Sequence, residues 1–205
     1  MEVLKESAKA MQQKRPPKLL KQLISELDYL NESEIEIVSK AYIYSSLAHE
    51  HQSRKTGEPY IIHPVAVASI LGSLNLDAAT IAAGLLHDVL EDTSINEDLL
   101  TKEFGREIFS LVDGVSKLDR LEDEDINQNQ AESFRKMMLA MVQDIRVIMI
   151  KLSDRLHNMR TIFALDKDRQ MKKAKETLEI FAPIANRLGI YNIKKAVSYT
   201  HLRAH

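Results

Sequence analysis

Residues 78–92 read Ala-Ala-Thr-Ile-Ala-Ala-Gly-Leu-Leu-His-Asp-Val-Leu-Glu-Asp. The first part of this stretch is apolar nearly all round, which predicts a helix buried at the centre of the fold over 78–90. Asp77 precedes it and is a suitable N-cap. The stretch ends in four ionisable side chains, and desolvating each of them alone would cost several kcal/mol. These side chains therefore need a cation or one another.

The rest of the chain carries helical patterns on both sides of this stretch. Six glycines and five prolines in 205 residues leave few turn signals, and most apolar spacings are three and four rather than two. We therefore expect an all-α fold, a helical bundle. The first predicted helix begins at the Pro16-Pro17 pair and ends near Leu27, and the second begins near Ser33. The other predicted helices lie at 61–74, 78–90, 95–103, 105–120, 132–142, 144–165, 168–181 and 183–190. Loops are predicted at 52–59 and at the acidic, amide-rich stretch 121–130.

Composition limits the function classes. Hydrophobic residues make up 44% and charged residues 28% of the chain, which is typical of one globular domain. The absence of cysteine excludes disulfides and zinc-finger sites, so any metal must be held by nitrogen and oxygen. Short apolar runs and a charged N-terminus favour a cytoplasmic protein. The net charge of −2 offers no global field for nucleic acid, so an anionic ligand needs a local basic patch.

Ionisable residues that could meet inside the bundle come from three predicted helices. His87 and Asp88 each have a carboxylate one turn later, in Glu91 and Asp92. Another candidate, His63, stands at the start of its helix. The third helix contributes Asp154, which shares a face with Asn158 and Thr161. Two histidines and two aspartates suit a divalent ion such as Mn²⁺, and less well Mg²⁺, Fe²⁺ or Zn²⁺.

Each candidate ligand also has a simpler interpretation. His87 and Asp88 could form a buried hydrogen-bonded pair. His63 could be an ordinary core or helix-start histidine, and Asp154 could pair only with the adjacent Arg155. Two further histidines are expected at the surface: His49 and His51.

Three blocks resemble the HD-domain hydrolase half of the RelA/SpoT homologues, the bifunctional (p)ppGpp synthetase/hydrolases. The blocks are Gly-Glu-Pro-Tyr-Ile-Ile-His-Pro at 57–64, Leu-Leu-His-Asp-Val-Leu-Glu-Asp-Thr at 85–93, and Ser-Asp-Arg-Leu-His-Asn-Met-Arg-Thr at 153–161. A further block typical of the family, Asp-Gly-Val-Ser-Lys-Leu, lies at 113–118. The resemblance runs in order from about 19 to 194.

The resemblance also implies a domain organisation. We expect a flexible N-terminus at 1–15 and an HD-type hydrolase domain at 16–195. Long family members continue through the Ala-Asn-Arg-Leu-Gly-Ile block, here at 185–190, into synthetase and regulatory domains, and we expect these domains to be absent from this chain. The last residues, 196–205, do not match the family and are interpreted as a possible artefact at the end of a truncated fragment.

The activity that the resemblance implies is removal of the 3′-pyrophosphate from ppGpp or pppGpp, with Mn²⁺ as cofactor. The implied metal ligands are His63, His87, Asp88 and Asp154. The implied catalytic carboxylates, beside the attacking water, are Glu91 and Asp92. The implied substrate-binding residues are Arg54 and Lys55 for the nucleotide, and Asn158 and Thr161 for the nucleoside pocket. The parent protein would also synthesise (p)ppGpp by transferring pyrophosphate from ATP to GDP or GTP.

Two other functions stay open at this point. One is an HD-type nucleotide phosphohydrolase with a different leaving group, which would release orthophosphate or a nucleoside monophosphate. The other is a non-catalytic helical module that senses a nucleotide, which would bind its ligand without turnover.

Overall fold

α-Helices make up the computed structural model, which describes residues 17–125, 139 and 143–189. They are α1 Lys18–Ser25, α2 Glu32–Ala48, α3 Ile62–Gly72, α4 Ala78–Leu86, α5 Val89–Asp92, α6 Glu97–Asp125, α7 Ile145–Arg160, α8 Lys167–Glu176 and α9 Ala182–Arg187. A 3₁₀ turn, Ile162–Ala164, follows α7, and a π-helical turn, Thr177–Phe181, joins α8 to α9. The described residues form no β-strand, only an isolated bridge between Ser53 and Pro59. The all-α prediction is confirmed.

Helix α4 lies at the centre of the bundle, as its apolar sequence predicts. All of its residues except Ala79 are buried, because α2, α3, α6 and α7 pack around it. Close packing against α3 depends on a small residue, since a Cβ on Gly84 would lie 2.5 Å from Leu71 Cδ1. The C-terminal end of α4 therefore lies in the middle of the bundle, and the ionisable residues that follow it in the sequence begin there.

The central helix ends earlier than predicted, at Leu86 rather than at residue 90. His87 and Asp88 form a turn, and α5 begins at Val89. The cause is the His87 ring, whose Nδ1 lies 2.8 Å from the Gly84 carbonyl oxygen. A continuous helix would pair that carbonyl with the backbone amide of Asp88. The side chain thus competes with the helix at the point where the site begins.

Other helix ends also differ from the predictions. The helices expected at 95–103 and 105–120 meet at Gly105, which has a φ of 80°, a conformation that glycine adopts at little cost. The second one runs on to Asp125, so the predicted loop is wrong for 121–125, where Leu and Glu favour a helix. The predictions for 1–15, 126–130 and 196–205, and nearly all of the helix at 132–142, fall outside the described residues.

None of the helices among the described residues combines the length and apolarity needed to cross a bilayer.

The N-cap of α4 gives a prediction about stability. The Asp77 carboxylate accepts hydrogen bonds from the Thr80 backbone amide (3.0 Å) and the Thr80 hydroxyl (2.7 Å). We expect Asp77→Ala to lower the free energy of unfolding by about 1 kcal/mol in a denaturant titration at neutral pH. Asp77→Asn keeps an accepting oxygen but loses the charge that faces Arg146, so it should lose less stability than Asp77→Ala. An equal loss in both variants would argue against the cap.

The same cap predicts how this loss depends on pH. Burial raises the pKa of Asp77, but the hydrogen bonds from Thr80 outweigh burial and lower the pKa overall. A carboxylate with a lowered pKa stabilises the fold above its unfolded pKa, and this contribution disappears as the pH falls. The difference between the wild type and Asp77→Ala should therefore shrink in acid. A difference that grows in acid would contradict this sign.

Candidate active site

The four predicted metal ligands converge at the end of α4. His63 comes from the first turn of α3, His87 and Asp88 from the turn after α4, and Asp154 from α7. His63 Nε2 lies 3.2 Å from Asp154 Oδ1 and 3.6 Å from Asp88 Oδ2. His87 Nε2 lies 3.0 Å from Asp88 Oδ1 and 4.0 Å from Asp154 Oδ1. Both histidines and Asp154 are buried, so the donors face one another away from bulk water.

The His87 ring tests whether these donors suit a metal ion. Its Nδ1 faces the Gly84 carbonyl, which can only accept, so Nδ1 carries a hydrogen. Its Nε2 is buried and makes no hydrogen bond of good geometry, although Asp88 Oδ1 is 3.0 Å away. An imidazole held this way by a backbone carbonyl is the usual form of a metal-ligating histidine. With His63 and the Asp88 carboxylate in the same group, and the Asp154 carboxylate beside both histidines, the donor set fits a divalent cation.

The electrostatics of the cluster favour positive charge between the ligands. Burial lowers the pKa of His87, but the charges of Asp88 and Asp154 outweigh burial and raise it. Burial also raises the pKa of Asp154, yet the hydrogen bond from His63 and the charge of Lys151 hold it well below its usual range. The Asp154 carboxylate is therefore ionised at neutral pH and pulls a proton or a cation towards His87.

Tyr60 connects an inner carboxylate to an outer one. Its hydroxyl lies 2.8 Å from Asp88 Oδ2 and 3.0 Å from Asp92 Oδ2, and it can donate to only one of them at a time. Tyr60 lies in the block at 57–64, three residues before His63, but its sequence position alone does not indicate this role. This phenol holds Asp92 at the mouth of the site beside the ligand cluster.

His49 lies behind Tyr60, so the prediction that it is a surface residue is wrong. Its ring stacks on that of Tyr60 with centroids 4.5 Å apart, and its Nδ1 lies 2.8 Å from Gln52 Oε1. Gln52 in turn donates to the backbone carbonyl of Asp92. The stacking leaves His49 only 3% exposed, whereas His51 is exposed as predicted.

A pocket of about 460 Å³ adjoins the ligand cluster, and all four predicted substrate-binding residues line it. Its cationic lining residues are Arg54, Lys55, Lys151, Arg155 and Lys173. Its apolar lining residues, towards the end of α7 and the 3₁₀ turn, are Met159, Ile162, Ala164 and Leu165. The pocket thus offers both positive charge and an apolar surface next to the cluster.

Hydrogen bonds connect the pocket to Asp154, one of the predicted metal ligands. Arg54 Nη2 donates to Asn158 Oδ1 at 2.8 Å and lies 3.4 Å from the Thr161 hydroxyl. Asn158 Nδ2 donates to Asp154 Oδ1 at 2.5 Å. The amide of Asn158 is therefore oriented by an acceptor on one side and a donor on the other. Lys55, by contrast, is exposed at the rim.

A buried lysine for which the sequence predicts no role links α7 to α6. Lys151 is 3% exposed, forms an ion pair with Asp119 and lies 3.6 Å from Asp154 Oδ2. Asp119 directly follows the block at 113–118, so the residue next to that block lies at the site. Both side chains line the pocket together with Glu91.

Neutralising Asp119 is expected to lower the pKa of Glu91. Burial and the charge of Asp119 raise that pKa to about 7, and Lys151 opposes them. Asp119→Asn removes the repulsion and leaves the Lys151 charge less neutralised, and both changes favour ionised Glu91. Carbon NMR titration of the glutamate carboxyl groups measures the shift. Asp113→Asn, on the same helix but paired with Lys117, is the matched control, and an unchanged Glu91 pKa in Asp119→Asn would refute the coupling.

The HD domain family matches residues 41–191 of this chain. The guanosine-3′,5′-bis(diphosphate) 3′-pyrophosphohydrolase of Vibrio cholerae is 57% identical over 167 residues, which cover 82% of this chain and 24% of that protein. The bifunctional (p)ppGpp synthase/hydrolase SpoT of Escherichia coli K12 is 54% identical over 175 residues, covering 85% of this chain and 25% of that protein. The chain thus spans about a quarter of the length of these curated relatives.

A solved structure supports the fold independently. It is described as a metazoan ortholog of SpoT that hydrolyzes ppGpp, and it is similar with a TM-score of 0.61 and 23% sequence identity. The match covers 85% of this chain and 97% of that one. The resemblance to the RelA/SpoT homologues is confirmed, and the chain belongs to the HD-domain family.

Proposed function

We propose that this chain is a metal-dependent (p)ppGpp 3′-pyrophosphohydrolase. The observation that carries the proposal is the cluster of His63, His87 and Asp88, with Asp154 against both histidines. Asp154 also lines the adjoining pocket, which has both cationic and apolar walls. The names of the relatives from Vibrio cholerae and Escherichia coli supply the substrate. Water would attack the phosphorus bonded to the 3′-oxygen, the bond between them would break, and GDP or GTP and pyrophosphate would leave.

The metal centre of this proposal consists of His63, His87, Asp88 and Asp154. The mixed nitrogen and oxygen donors support Mn²⁺ as the ion. When bound there, a divalent ion lowers the pKa of a coordinated water and draws charge from the phosphoryl oxygens.

Glu91 and Asp92 act on the attacking water. Burial and the charge of Asp119 raise the pKa of Glu91, to about 7 in the chain without metal, so this carboxylate is a suitable base to take a proton from the water and return it to the leaving 3′-oxygen. Asp92 is held towards the ligands by the Tyr60 hydroxyl, so it can orient the same water.

The pocket residues bind the nucleotide. Phosphoryl transfer requires positioning and neutralisation of charge, which Arg54, Lys55 and Lys151 supply around the phosphates. Asn158 and Thr161 face the sugar, and the apolar wall of Met159, Ile162 and Leu165 takes the base. The two-sided lining supports a nucleotide with several phosphates over a simple phosphate ester.

We also propose that the longer protein to which this domain belongs synthesises (p)ppGpp in a separate domain. One relative carries both activities in its name, and another, from Myxococcus xanthus and 52% identical over 169 residues, is named a GTP pyrophosphokinase.

The test measures products released from ppGpp by the purified chain with Mn²⁺ and with EDTA, separated by anion exchange, alongside a thermal melt in both conditions. We expect GDP and pyrophosphate in equal amounts with Mn²⁺ only. Orthophosphate or GMP would identify a different HD-type phosphohydrolase. Binding of ppGpp to the folded, Mn²⁺-loaded chain without any product would instead favour the sensing module.

A further inference from the structure

We propose that His157 is a positioning residue for the metal centre, because it accepts a hydrogen bond from His63 and so fixes the ring form in which His63 presents Nε2 to the cation. This inference rests on the metal centre proposed above. His157 is not one of the proposed ligands, and its position in the block at 153–161 does not by itself indicate a role.

The contact joins two ring nitrogens of the same kind. His63 Nδ1 lies 2.8 Å from His157 Nδ1, and the ring centroids are 4.9 Å apart. A hydrogen bond between two imidazole nitrogens needs a hydrogen on one of them and a lone pair on the other. The pair therefore has two arrangements: the ring that carries its single hydrogen on Nδ1 donates, and the ring that carries its hydrogen on Nε2 accepts through Nδ1.

A cation in the cluster decides between the two arrangements. His63 Nε2 faces Asp154 and Asp88, at 3.2 and 3.6 Å, so it is the atom that meets the ion. Its lone pair must then be free, and the single hydrogen of the neutral His63 ring must lie on Nδ1. His157 Nδ1 has to accept that hydrogen.

The packing of the helices supports this acceptor role. Because α7 packs against α3, the two rings are held together, with His157 Nδ1 2.8 Å from His63 Nδ1 and in place to accept its hydrogen. His87 differs in this respect, because its Nδ1 is held by the Gly84 backbone carbonyl, which a side-chain substitution does not remove.

Two substitutions separate positioning from packing. His157→Asn places a carbonyl oxygen close to the position of Nδ1 and can still accept from His63. His157→Leu fills a similar volume but has no acceptor. Leu is the better helix former, so a purely structural role predicts that Leu is tolerated better than Asn, whereas the positioning role predicts the opposite order for metal binding.

The experiment measures the Mn²⁺ dissociation constant of the 205-residue chain from the electron paramagnetic resonance of free Mn²⁺. We expect His157→Leu to bind Mn²⁺ about 10–100-fold more weakly than the wild type, as loss of a group that orients a ligand does elsewhere. His157→Asn should bind close to the wild type. The control His51→Leu, on an exposed histidine, should not change the affinity.

The outcomes distinguish this proposal from the one on which it rests. Wild-type chain that is folded but binds no Mn²⁺ would overturn the metal centre and the role of His157 together. Wild-type binding with unchanged affinity in His157→Leu would overturn only the positioning role. Equal weakening in the Asn and Leu variants would also overturn it, because the acceptor oxygen of Asn would then bring no rescue.

Discussion

Asp88→Asn is expected to abolish hydrolysis and to remove the stabilisation that Mn²⁺ gives the chain. Asp88 supplies one of the two carboxylates of the cluster, with Oδ1 3.0 Å from His87 Nε2. Asparagine keeps the size of the side chain but not the charge that offsets the desolvation of a divalent ion. Groups that only support a metal ligand cost about 10–100-fold when changed, so loss of a proposed ligand should cost at least about 100-fold in metal affinity and in turnover.

A thermal melt gives this prediction a readout that does not depend on substrate. At a concentration 100 times its dissociation constant, a ligand stabilises the folded state by about 2.7 kcal/mol. For a domain of this size that raises Tm by roughly 5–10 °C. We expect the wild type and the control Asp28→Asn, which changes an exposed aspartate, to show the Mn²⁺-induced rise and Asp88→Asn to show none. A full rise in Asp88→Asn would remove this carboxylate from the proposed ligand set.

Predictions from the sequence agree best with the structure where a feature depends on the residues of one short segment alone. Residues 78–86 are apolar on every side, and a helix of that kind can only be buried, so its central position followed from the pattern. The proposed ligands stood out in the sequence because His87 and Asp88 follow that helix and His63 and Asp154 lie in distinctive blocks, and the structure brings all four side chains together. Asp77 was recognisable as a cap because capping is a local hydrogen bond.

The contacts that sequence reasoning missed join distant segments. His63 and His157 are 94 positions apart, and the ion pair between Lys151 and Asp119 spans 32. In neither pair does the sequence around one residue indicate which residue it will contact. These contacts arise when α3, α6 and α7 pack around α4, and only that packing shows which side chains meet.

The helix ends were missed for a different physical reason. The end of α4 depends on whether the His87 ring or the backbone amide of Asp88 binds the Gly84 carbonyl. The same sequence is compatible with both, so the pattern of apolar residues does not show where the helix ends. At residues 121–125, acidic composition favoured a loop, but helix propensity extended α6 through them.

Glu91→Gln is expected to leave metal binding intact while turnover falls by about 10²–10⁴-fold. Glu91 lines the pocket but is not among the converging ligands, and glutamine matches its size. What is lost is the carboxylate that takes the proton, whose pKa burial and Asp119 raise to about 7 in the chain without metal. The Mn²⁺-induced rise in Tm should therefore equal that of the wild type, and the surface variant Glu36→Gln should behave as the wild type in both assays.

The pH dependence of the wild type provides the second half of this test. A group with a raised pKa is protonated below that pKa and cannot accept a proton there, so the rate should rise with pH up to the pKa of Glu91 and then level off. A bound cation favours the ionised carboxylate, so this rising limb of the pH–rate profile should lie at lower pH than the metal-free titration of Glu91. Asp119→Asn should move it further in the same direction. Glu91→Gln should lack the limb, and a Glu91→Gln enzyme with the wild-type rate and the same limb would assign the proton transfer to Asp92 instead.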